Sequence, residues 1–507
     1  MKLLKISKKI LPLLLLLFSL LLILFYSFRS VIVFDIDVAR DLLLLNEIAT
    51  KDHLTMIGSR TAINGVFHGP FWLYLNLPVF IAANGNPVYL GWFWLLLFLY
   101  LLVSIFYICI KFFNKKTGVM SVLIVASQGL FFIKSPTNPF MTVVLFPTYF
   151  YFFILYLRKS KFIHLIILLV LLGLLIQGEM VFGIPILFSS LILIARSILK
   201  SKKIRHFFIL PILLLPLSTF FLFEIAHEGL QTNAIISYLT SRSSSLMNIM
   251  KIGSYFPLIL QGARLFLAAP HDSHNTASII LNVFSFFSIV YLLFLTGKEK
   301  SEGKDFIVKT FLFLYGSFWL LLSFTHNTIH WYYYWSFIGI AAIFVASAAF
   351  KNLLVYIIVC VGVVFNLVNC VKYLDNQKLK GIVWSSQEKY ANFIFRDAPQ
   401  RFGYYVNTFD QINNYIPMSA LNYEQRLFPK KQAIPFTKLD YTYVIIGPNP
   451  GGKPMDGSWW VKNRVHITSK PVKRHLFSSG YTVELYKPSK EEQDIPDESM
   501  FDSLQYR

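Results

Sequence analysis

Long apolar runs, of which 11–25 and 165–176 are examples, recur from the N-terminus to about residue 371 of this chain. A helix needs about 20 apolar residues to cross the hydrocarbon core of a bilayer, and about ten stretches approach that length. Only 14% of the 507 residues are charged, against roughly 25% in soluble domains. The sequence therefore excludes an ordinary soluble globule and predicts an α-helical, multi-pass membrane protein.

The distribution of basic residues predicts how the spans are oriented. Eleven spans are expected, at about 10–28, 86–110, 117–133, 139–157, 162–177, 181–195, 207–225, 276–296, 310–325, 333–350 and 352–371. With the N-terminus in the cytoplasm, the inner segments hold 20 Lys and Arg in 42 residues, whereas the outer connections hold 8 in 103. This contrast satisfies the positive-inside rule. The net charge of +21 thus reflects topology, and no nucleic-acid partner is expected.

Two further features complete the predicted topology. The basic and Leu-rich start lacks a small-residue cleavage site after its apolar core, which indicates a retained first helix and not a removed signal peptide. Residues 70–84 are apolar but too few to span, so we interpret them as a re-entrant or interfacial helix. Together these features place the C-terminal tail and the long loops 29–85 and 226–275 outside the cytoplasm.

The tail changes composition. Residues 372–507 are polar and punctuated by Pro and Gly, with short runs typical of strands at 441–446, 461–467 and 481–486. They predict a small extracytoplasmic α/β domain that follows a membrane domain at 1–371. The three cysteines all lie in or beside apolar spans, so neither a disulfide framework nor a metal-ligand spacing is indicated.

An acidic cluster follows the first span. Asp35, Asp37 and Asp41 surround Arg40 within seven residues. In a helix, Asp37 and Asp41 would share one face with Arg40 beside them. Two carboxylates near one cation suit a general base, because the cation keeps one of them ionised while their mutual repulsion raises the pKa of the other. The alternative is an interfacial helix whose charges only face water.

A glycine-punctuated loop follows at 57–74, in the order Ile-Gly-Ser-Arg-Thr-Ala-Ile-Asn-Gly-Val-Phe-His-Gly-Pro-Phe-Trp-Leu-Tyr. Its backbone N–H groups, with Arg60 and His68, are candidates to receive a phosphate or sugar hydroxyls. A plain turn is the alternative.

The acidic cluster and this loop together resemble the GT-C glycosyltransferases, in the branch with protein O-mannosyltransferases, the lipid A aminoarabinose transferase and related lipopolysaccharide glycosyltransferases. The motif covers about residues 34–78, with Val38 where a second acid is frequent and Ser59-Arg60 where a Pro is frequent. The resemblance implies a GT-C fold with about eleven transmembrane helices, juxtamembrane helices and an extracytoplasmic C-terminal domain. It also implies that Asp37 is catalytic.

Other candidates lie singly at the predicted outer boundaries of spans. Glu179 ends one span, and an ionisable residue there is a candidate for function. His326, His330 and Tyr332 begin another, where an interfacial aromatic belt is the simpler interpretation. Lys134 and Arg264 are candidates to bind a lipid phosphate. All these groups are expected at the outer leaflet.

The expected function is transfer of a sugar from a polyprenyl-phosphate donor to an extracytoplasmic glycan, lipid or protein, with inversion. Asp37 would act as base, with Asp35, Asp41 and Arg40 tuning or holding it. Arg60, His68, Lys134, Glu179, Arg264, His326, His330 and Tyr332 would bind substrate. A phosphate leaving group makes a metal ion dispensable. The alternatives are an O-antigen ligase or polymerase, and a lipid or solute transporter, which would place charged or broken helices at the bilayer midplane.

Overall fold

The computed structural model describes residues 2–29, 31–51, 54–240, 302–322, 331–409, 414–449 and 451–497. The helices up to residue 240 are α1 Lys2–Phe28, α2 Ile36–Lys51, α3 Phe71–Ala82, α4 Pro87–Phe112, α5 Lys115–Ala126, α6 Gly129–Ile133, α7 Asn138–Lys159, α8 Phe162–Gly178, α9 Met180–Ser201, α10 Leu214–Ala226 and α11 Leu230–Thr240. A 3-10 helix, Ile204–Leu213, precedes α10. The next four are α12 Glu302–Leu322, α13 Trp331–Trp335, α14 Ile338–Lys351 and α15 Leu353–Leu379.

The C-terminal segment holds a five-stranded mixed sheet. Its elements are α16 Trp384–Asp397, β1 Arg401–Asn407, α17 Tyr415–Leu427, β2 Gln432–Pro435, β3 Thr442–Ile446, α18 Ser458–Trp460, β4 Lys473–Leu476, β5 Thr482–Tyr486 and α19 Lys490–Asp494. The strand order is β2-β1-β3-β5-β4. β1 is parallel to β2 and β3, in register Gly403 with Thr442, whereas β5 is antiparallel to β3 and β4. The predicted α/β character of the tail is confirmed.

Within the described ranges, seven helices are long and apolar enough to cross a membrane. They are Ile10–Phe28, Pro87–Phe112, Asn138–Lys159, Met180–Ser201, Ile204–Ala226, Gly303–Leu322 and Leu353–Leu379. The shorter apolar helices Phe71–Ala82, Phe162–Gly178 and Ile338–Lys351 accompany them. The chain is thus a polytopic α-helical protein with a small C-terminal sheet, as predicted. The number of eleven spans stays a prediction, and the span at 276–296 lies outside the described residues.

Two predicted spans are each divided into two helices. The span at 117–133 consists of α5 and α6, with buried Ser127 and Gln128 between them. Ser127 Oγ donates to the Ile124 carbonyl oxygen at 2.8 Å, and Asn366 Nδ2 donates to Ser127 Oγ at 3.0 Å. These bonds pair polar groups at the break, where the backbone hydrogen bonds of a continuous helix are interrupted. The span at 333–350 is similarly interrupted between α13 and α14.

The predicted strand at 461–467 is wrong. Residues Val461–Val465 form a single π-helical turn, which continues α18. Val461 and Val465 are both buried in the core beneath the sheet, with Tyr405, Val444 and Ile446. Their spacing of four residues places both valines on one helical face, so the apolar pattern that suggested a strand belongs to a turn of helix.

The described chain divides into two compact units. The first unit comprises 1–25, 56–72 and 94–370, and the second comprises 26–55, 73–93 and 371–507. The second unit therefore combines the C-terminal segment with α2 and with the chain between Leu73 and Phe93.

Candidate functional site

Backbone hydrogen bonds between the residues before α2 and those at the start of α16 position the acidic cluster. Val33 forms a β-bridge with Val383, the Phe34 N–H donates to the Ile382 carbonyl oxygen at 2.7 Å, and the Trp384 N–H donates to the Ile32 carbonyl oxygen at 2.9 Å. Since these bonds join the residues before α2 to those before α16, they fix where α2 begins.

The helix itself begins with a cap. Asp35 accepts a hydrogen bond from the Val38 N–H at 3.0 Å, which satisfies one of the free N–H groups at the start of a helix. Leu42 to Leu45 and Ile48 of α2 are buried, and α2 packs against α17. A capped and packed helix thereby holds the four charged residues of the cluster in fixed positions.

Arg40 joins two of the carboxylates. Its Nη1 lies 3.0 Å from Asp37 Oδ1, and its Nη2 lies 3.4 Å from Asp41 Oδ1. The Arg40 and Asp41 side chains are only 14% and 8% exposed, whereas the Asp37 side chain is 56% exposed. Burial opposes the charge of Arg40, but the carboxylates of Asp41 and Asp37 outweigh it and raise the pKa of the guanidinium. The arrangement leaves one carboxylate, that of Asp37, accessible to a reactant while a buried cation holds it.

The glycine-punctuated loop lies in the first unit and forms a short hairpin, residues 58–68. The Gly58 N–H donates to the His68 carbonyl oxygen at 2.8 Å, the His68 N–H donates to the Ser59 carbonyl oxygen at 2.9 Å, and Arg60 forms a β-bridge with Phe67. The loop is therefore ordered by its own backbone. The prediction that Arg60 and His68 bind substrate is neither confirmed nor contradicted by this geometry.

Gln177 ties this hairpin to the end of α8. Its backbone oxygen accepts from the Gly69 N–H at 3.1 Å, and its Oε1 accepts from the Phe71 N–H at 3.0 Å. A Cβ on Gly69 would lie 2.5 Å from Gln177 Oε1, so only glycine permits this approach. Gln177, two residues before the candidate Glu179, was not among the residues predicted from the sequence. The sequence signal that could have identified Gln177 is a polar residue at the end of the long apolar helix α8.

Further contacts hold the hairpin to other helices of the first unit. Asn138 Nδ2, at the start of α7, donates to Ser59 Oγ at 3.1 Å. Gln231 Oε1, on α11, accepts from the Phe67 N–H at 2.9 Å. Neither Asn138 nor Gln231 was singled out from the sequence, because a lone amide in a helix has no local motif. The hairpin is thus bound by side chains from α7 and α11, and the residues directly after it are bound by Gln177 of α8.

Glu179 is a buried carboxyl group in the turn between α8 and α9. It is 3% exposed, and its Oε1 accepts from the Val181 N–H at 3.2 Å. Burial raises the pKa of Glu179 to about 8, against which the Val181 N–H acts weakly. The neighbouring Tyr333 ring packs on Tyr332 at 4.7 Å between centroids. The surroundings of Glu179 therefore favour the neutral acid at pH 7.

The neutral state of Glu179 predicts a pH dependence of stability. Its folded-state pKa of about 8 exceeds the ordinary 4.5, so the stabilisation is complete below pH 4.5 and is lost as the pH rises to 8. Glu179→Gln mimics the neutral acid. We expect the melting temperature of the variant to exceed that of the wild type by a margin that grows from pH 5 to pH 8. Thermal melts in detergent at several pH values measure this margin.

The matched control is Glu491→Gln, which changes an exposed carboxylate of α19. Its melting temperature should follow that of the wild type at every pH. A Glu179→Gln curve that runs parallel to the wild-type curve between pH 5 and pH 8 would show that Glu179 is ionised in the folded protein.

The remaining candidates are distributed as follows. Lys134 caps the C-terminal end of α6, and its Nζ lies 4.7 Å from the centre of the Phe131 ring. Tyr332 lies on α13 beside Tyr333. The structure therefore places Arg60, His68, Lys134, Glu179 and Tyr332 in the first unit. Arg264, His326 and His330 lie outside the described residues. Among the described residues, no group of three His, Cys, Asp or Glu side chains could hold a metal ion.

Comparison with known proteins gives only distant likenesses. No protein-family model and no curated protein matches the sequence. The structure is similar to ArnT from Cupriavidus metallidurans bound to undecaprenyl phosphate, with 11% identity and a TM-score of 0.49 over 93% of this chain and 97% of that one. For the same protein in the apo state the values are 10% and 0.48.

The structure is also similar to an oligosaccharyltransferase from Archaeoglobus fulgidus tethered with an acceptor peptide containing the NVT sequon. Here the identity is 13% and the TM-score 0.44, over 85% of this chain and 64% of that one. Identities of 10–13% and TM-scores below 0.5 do not define a reaction for this chain.

Proposed function

We propose that this protein is an integral membrane glycosyltransferase that transfers a sugar from a polyprenyl-phosphate donor to an extracytoplasmic acceptor. The observation that carries the proposal is the state of Asp37. It is a half-exposed carboxylate in the first turn of a capped helix, held by a largely buried guanidinium. A solvated surface charge needs no such support, whereas a base must be both accessible and fixed.

In the proposed reaction, Asp37 accepts the proton of an acceptor hydroxyl group. The hydroxyl oxygen forms a bond to the anomeric carbon of the donor sugar as the bond to the lipid phosphate breaks. The electron pair of the broken bond leaves on the phosphate. A single displacement of this kind inverts the anomeric carbon. Arg40 holds Asp37 in place, because its guanidinium is itself held by the buried Asp41.

The donor phosphate requires cationic or N–H partners when it leaves. Arg60 and Lys134, expected from the sequence to bind substrate, are the proposed candidates for this role. The Arg60 side chain is half-buried, and its planar guanidinium can donate hydrogen bonds to two phosphate oxygens at once. With these cations the reaction needs no metal ion. A polyprenyl carrier also explains why the enzyme is embedded in lipid, since nucleotide sugars are cytoplasmic donors.

Purified protein in nanodiscs, incubated with single polyprenyl-phosphate sugars, tests this proposal. The expected result is loss of one lipid-linked sugar, dependent on an added acceptor fraction and absent for Asp37→Asn. Loss that is unchanged in Asp37→Asn would contradict the assignment of the base. Movement of the intact lipid across the membrane without loss of sugar would indicate a transporter instead.

The proposed location of the site makes a prediction about topology. Single cysteines at Ser458, exposed on α18, and at Ser201, the last residue of α9, should differ in their access to an impermeant maleimide. Cysteine at 458 should react in intact cells, and cysteine at 201 only after permeabilisation. The wild type, whose three cysteines are buried or half-buried, supplies the background. The reverse pattern would place the tail in the cytoplasm.

A further inference from the structure

The second unit contains a pocket whose lining includes none of the four charged residues of the acidic cluster. Its walls come from α2, from α3 and the turn after it, from the start of α4 and from α17. They consist of Leu42, Asn46, Phe80, Gly85, Pro87, Ser419, Asn422, Tyr423 and Arg426. The set contains a guanidinium and several neutral polar groups but no carboxylate, which points to an anionic ligand.

Arg426 is the one charged residue of the pocket lining. Its Nε donates to Asn46 Oδ1 at 2.9 Å, and its guanidinium lies 4.8 Å from the centre of the Phe80 ring. Its Nη2 is buried without a hydrogen-bond partner, and within the described ranges no carboxylate forms an ion pair with it. Burial alone lowers the pKa of Arg426. A cation taken from water with no opposing charge is costly, so an anion at this place would be favoured.

The guanidinium is held at the pocket and does not swing freely. Gly85 has a φ of +79°, and a Cβ built on it would lie 3.2 Å from Arg426 Cδ. The glycine therefore lets the turn between α3 and α4 close over the aliphatic part of Arg426. Together with Asn46 and the Phe80 ring, this contact fixes the orientation of the Arg426 guanidinium before a ligand binds. A fixed orientation reduces the entropy lost on binding.

Neutral donors complete the lining. The Ser419 hydroxyl and the Asn422 amide form no hydrogen bond within the described part of the chain. Tyr423 Oη accepts from Asn86 Nδ2 at 3.0 Å, which leaves its own proton to donate. Burial, followed by the carboxylates of Glu388 and Glu424, raises the pKa of Tyr423 to about 12, so that proton is present at neutral pH. Several donors from different directions suit the tetrahedral oxygens of phosphate.

The pocket also adjoins the end of a candidate membrane span. Pro87, which lines it, is the first residue of α4, and Pro87–Phe112 is long and apolar enough to cross a bilayer. The ends of such spans lie at the level of the lipid headgroups. The phosphate of a membrane lipid is the anion most abundant at that depth.

We propose that this pocket binds a phosphate group through Arg426, with Ser419, Asn422 and Tyr423 as further donors. The phosphate belongs either to an anionic lipid headgroup or to a free phosphate ion. The proposal is independent of sugar transfer, since none of these four residues belongs to the acidic cluster.

Two binding measurements on the full-length protein distinguish the two sources. Native mass spectrometry from neutral detergent compares retention of phosphatidylglycerol with that of phosphatidylcholine. Phosphorus NMR follows a titration with inorganic phosphate against chloride at equal ionic strength. The variants are Arg426→Gln and Ser419→Ala, and the control is Arg401→Gln, which removes an exposed arginine of β1 in the same unit.

We expect Arg426→Gln to weaken binding of the phosphate ligand by roughly tenfold or more. Ser419→Ala, which keeps the guanidinium, should weaken it by a smaller factor, and Arg401→Gln should bind like the wild type. Specific retention of phosphatidylglycerol assigns the site to a lipid, and binding of inorganic phosphate alone assigns it to the free ion. Equal binding by the wild type, Arg426→Gln and Ser419→Ala in both measurements would overturn the proposal.

Discussion

Replacing Asp37 with asparagine is expected to lower the rate of sugar transfer by a factor of about 10²–10⁴, the usual effect of removing a general base. Asparagine keeps the size of the side chain but accepts no proton. Because Asp37 is the exposed member of the cluster, the change leaves the interior intact, and lipid-donor binding should fall far less than turnover. Single-turnover transfer and donor binding, measured on the same preparation, separate the two effects.

Asp35→Asn is the matched control for Asp37→Asn. Asp35 caps α2 through the Val38 N–H, and asparagine caps a helix about as well as aspartate. This variant therefore removes a neighbouring negative charge without disturbing the helix, and its transfer rate should drop much less. A greater loss at Asp35 than at Asp37 would move the base two residues upstream. Wild-type rates in both variants would exclude the acidic cluster from the reaction.

Replacing Arg40 with methionine should destabilise the second unit by about 3–5 kcal/mol, the typical cost of removing one partner from a buried ion pair. Asp41, with a side chain only 8% exposed, then loses the cation that compensates its charge. Transfer should fall as well, because Asp37 loses its support. Chemical denaturation in detergent, followed by near-ultraviolet circular dichroism, measures the loss of stability.

Lys51→Met controls for the effect of removing a cation from α2. Lys51 pairs with Glu47 at 2.9 Å, but its side chain is 60% exposed, so its removal should change the stability by less than about 1 kcal/mol. The double variant Arg40→Met/Asp41→Leu should regain most of the lost stability, because it leaves no buried charge. If Arg40→Met and Lys51→Met are equally mild, the Arg40 pairs contribute nothing to folding.

The sequence predicts well those features that depend on nearby residues. Apolar length is enough to predict helices such as α4 and α7, and the three-residue spacing of Asp37 and Arg40 is enough to bring them together on a helix. Strands β3 and β5 were recognisable because both are short apolar runs between turn residues. Local propensity and periodicity determine all of these features.

Features that depend on distant partners could not be predicted. The support of α2 by α17, at a separation of more than 360 residues, has no local signal, and neither does the pocket around Arg426. The breaks at Ser127 and at Ser336 depend on polar partners that are remote in sequence, Asn366 and Thr142 respectively. The 461–465 turn was missed because buried valines at a spacing of four were interpreted as part of a strand.

The second unit is formed by three separate segments of the chain, so it cannot assemble until the last of them has been synthesised. The buried leucines of α2 are made early, but α17, against which they pack, begins at Tyr415. A ribosome that adds roughly 5–20 residues per second needs roughly 20–70 s to make the intervening chain. During that time Leu42 to Leu45 lack their partner helix, and they are available to a chaperone or to the lipid surface. Slower translation should therefore extend the period in which this protein is open to misassembly.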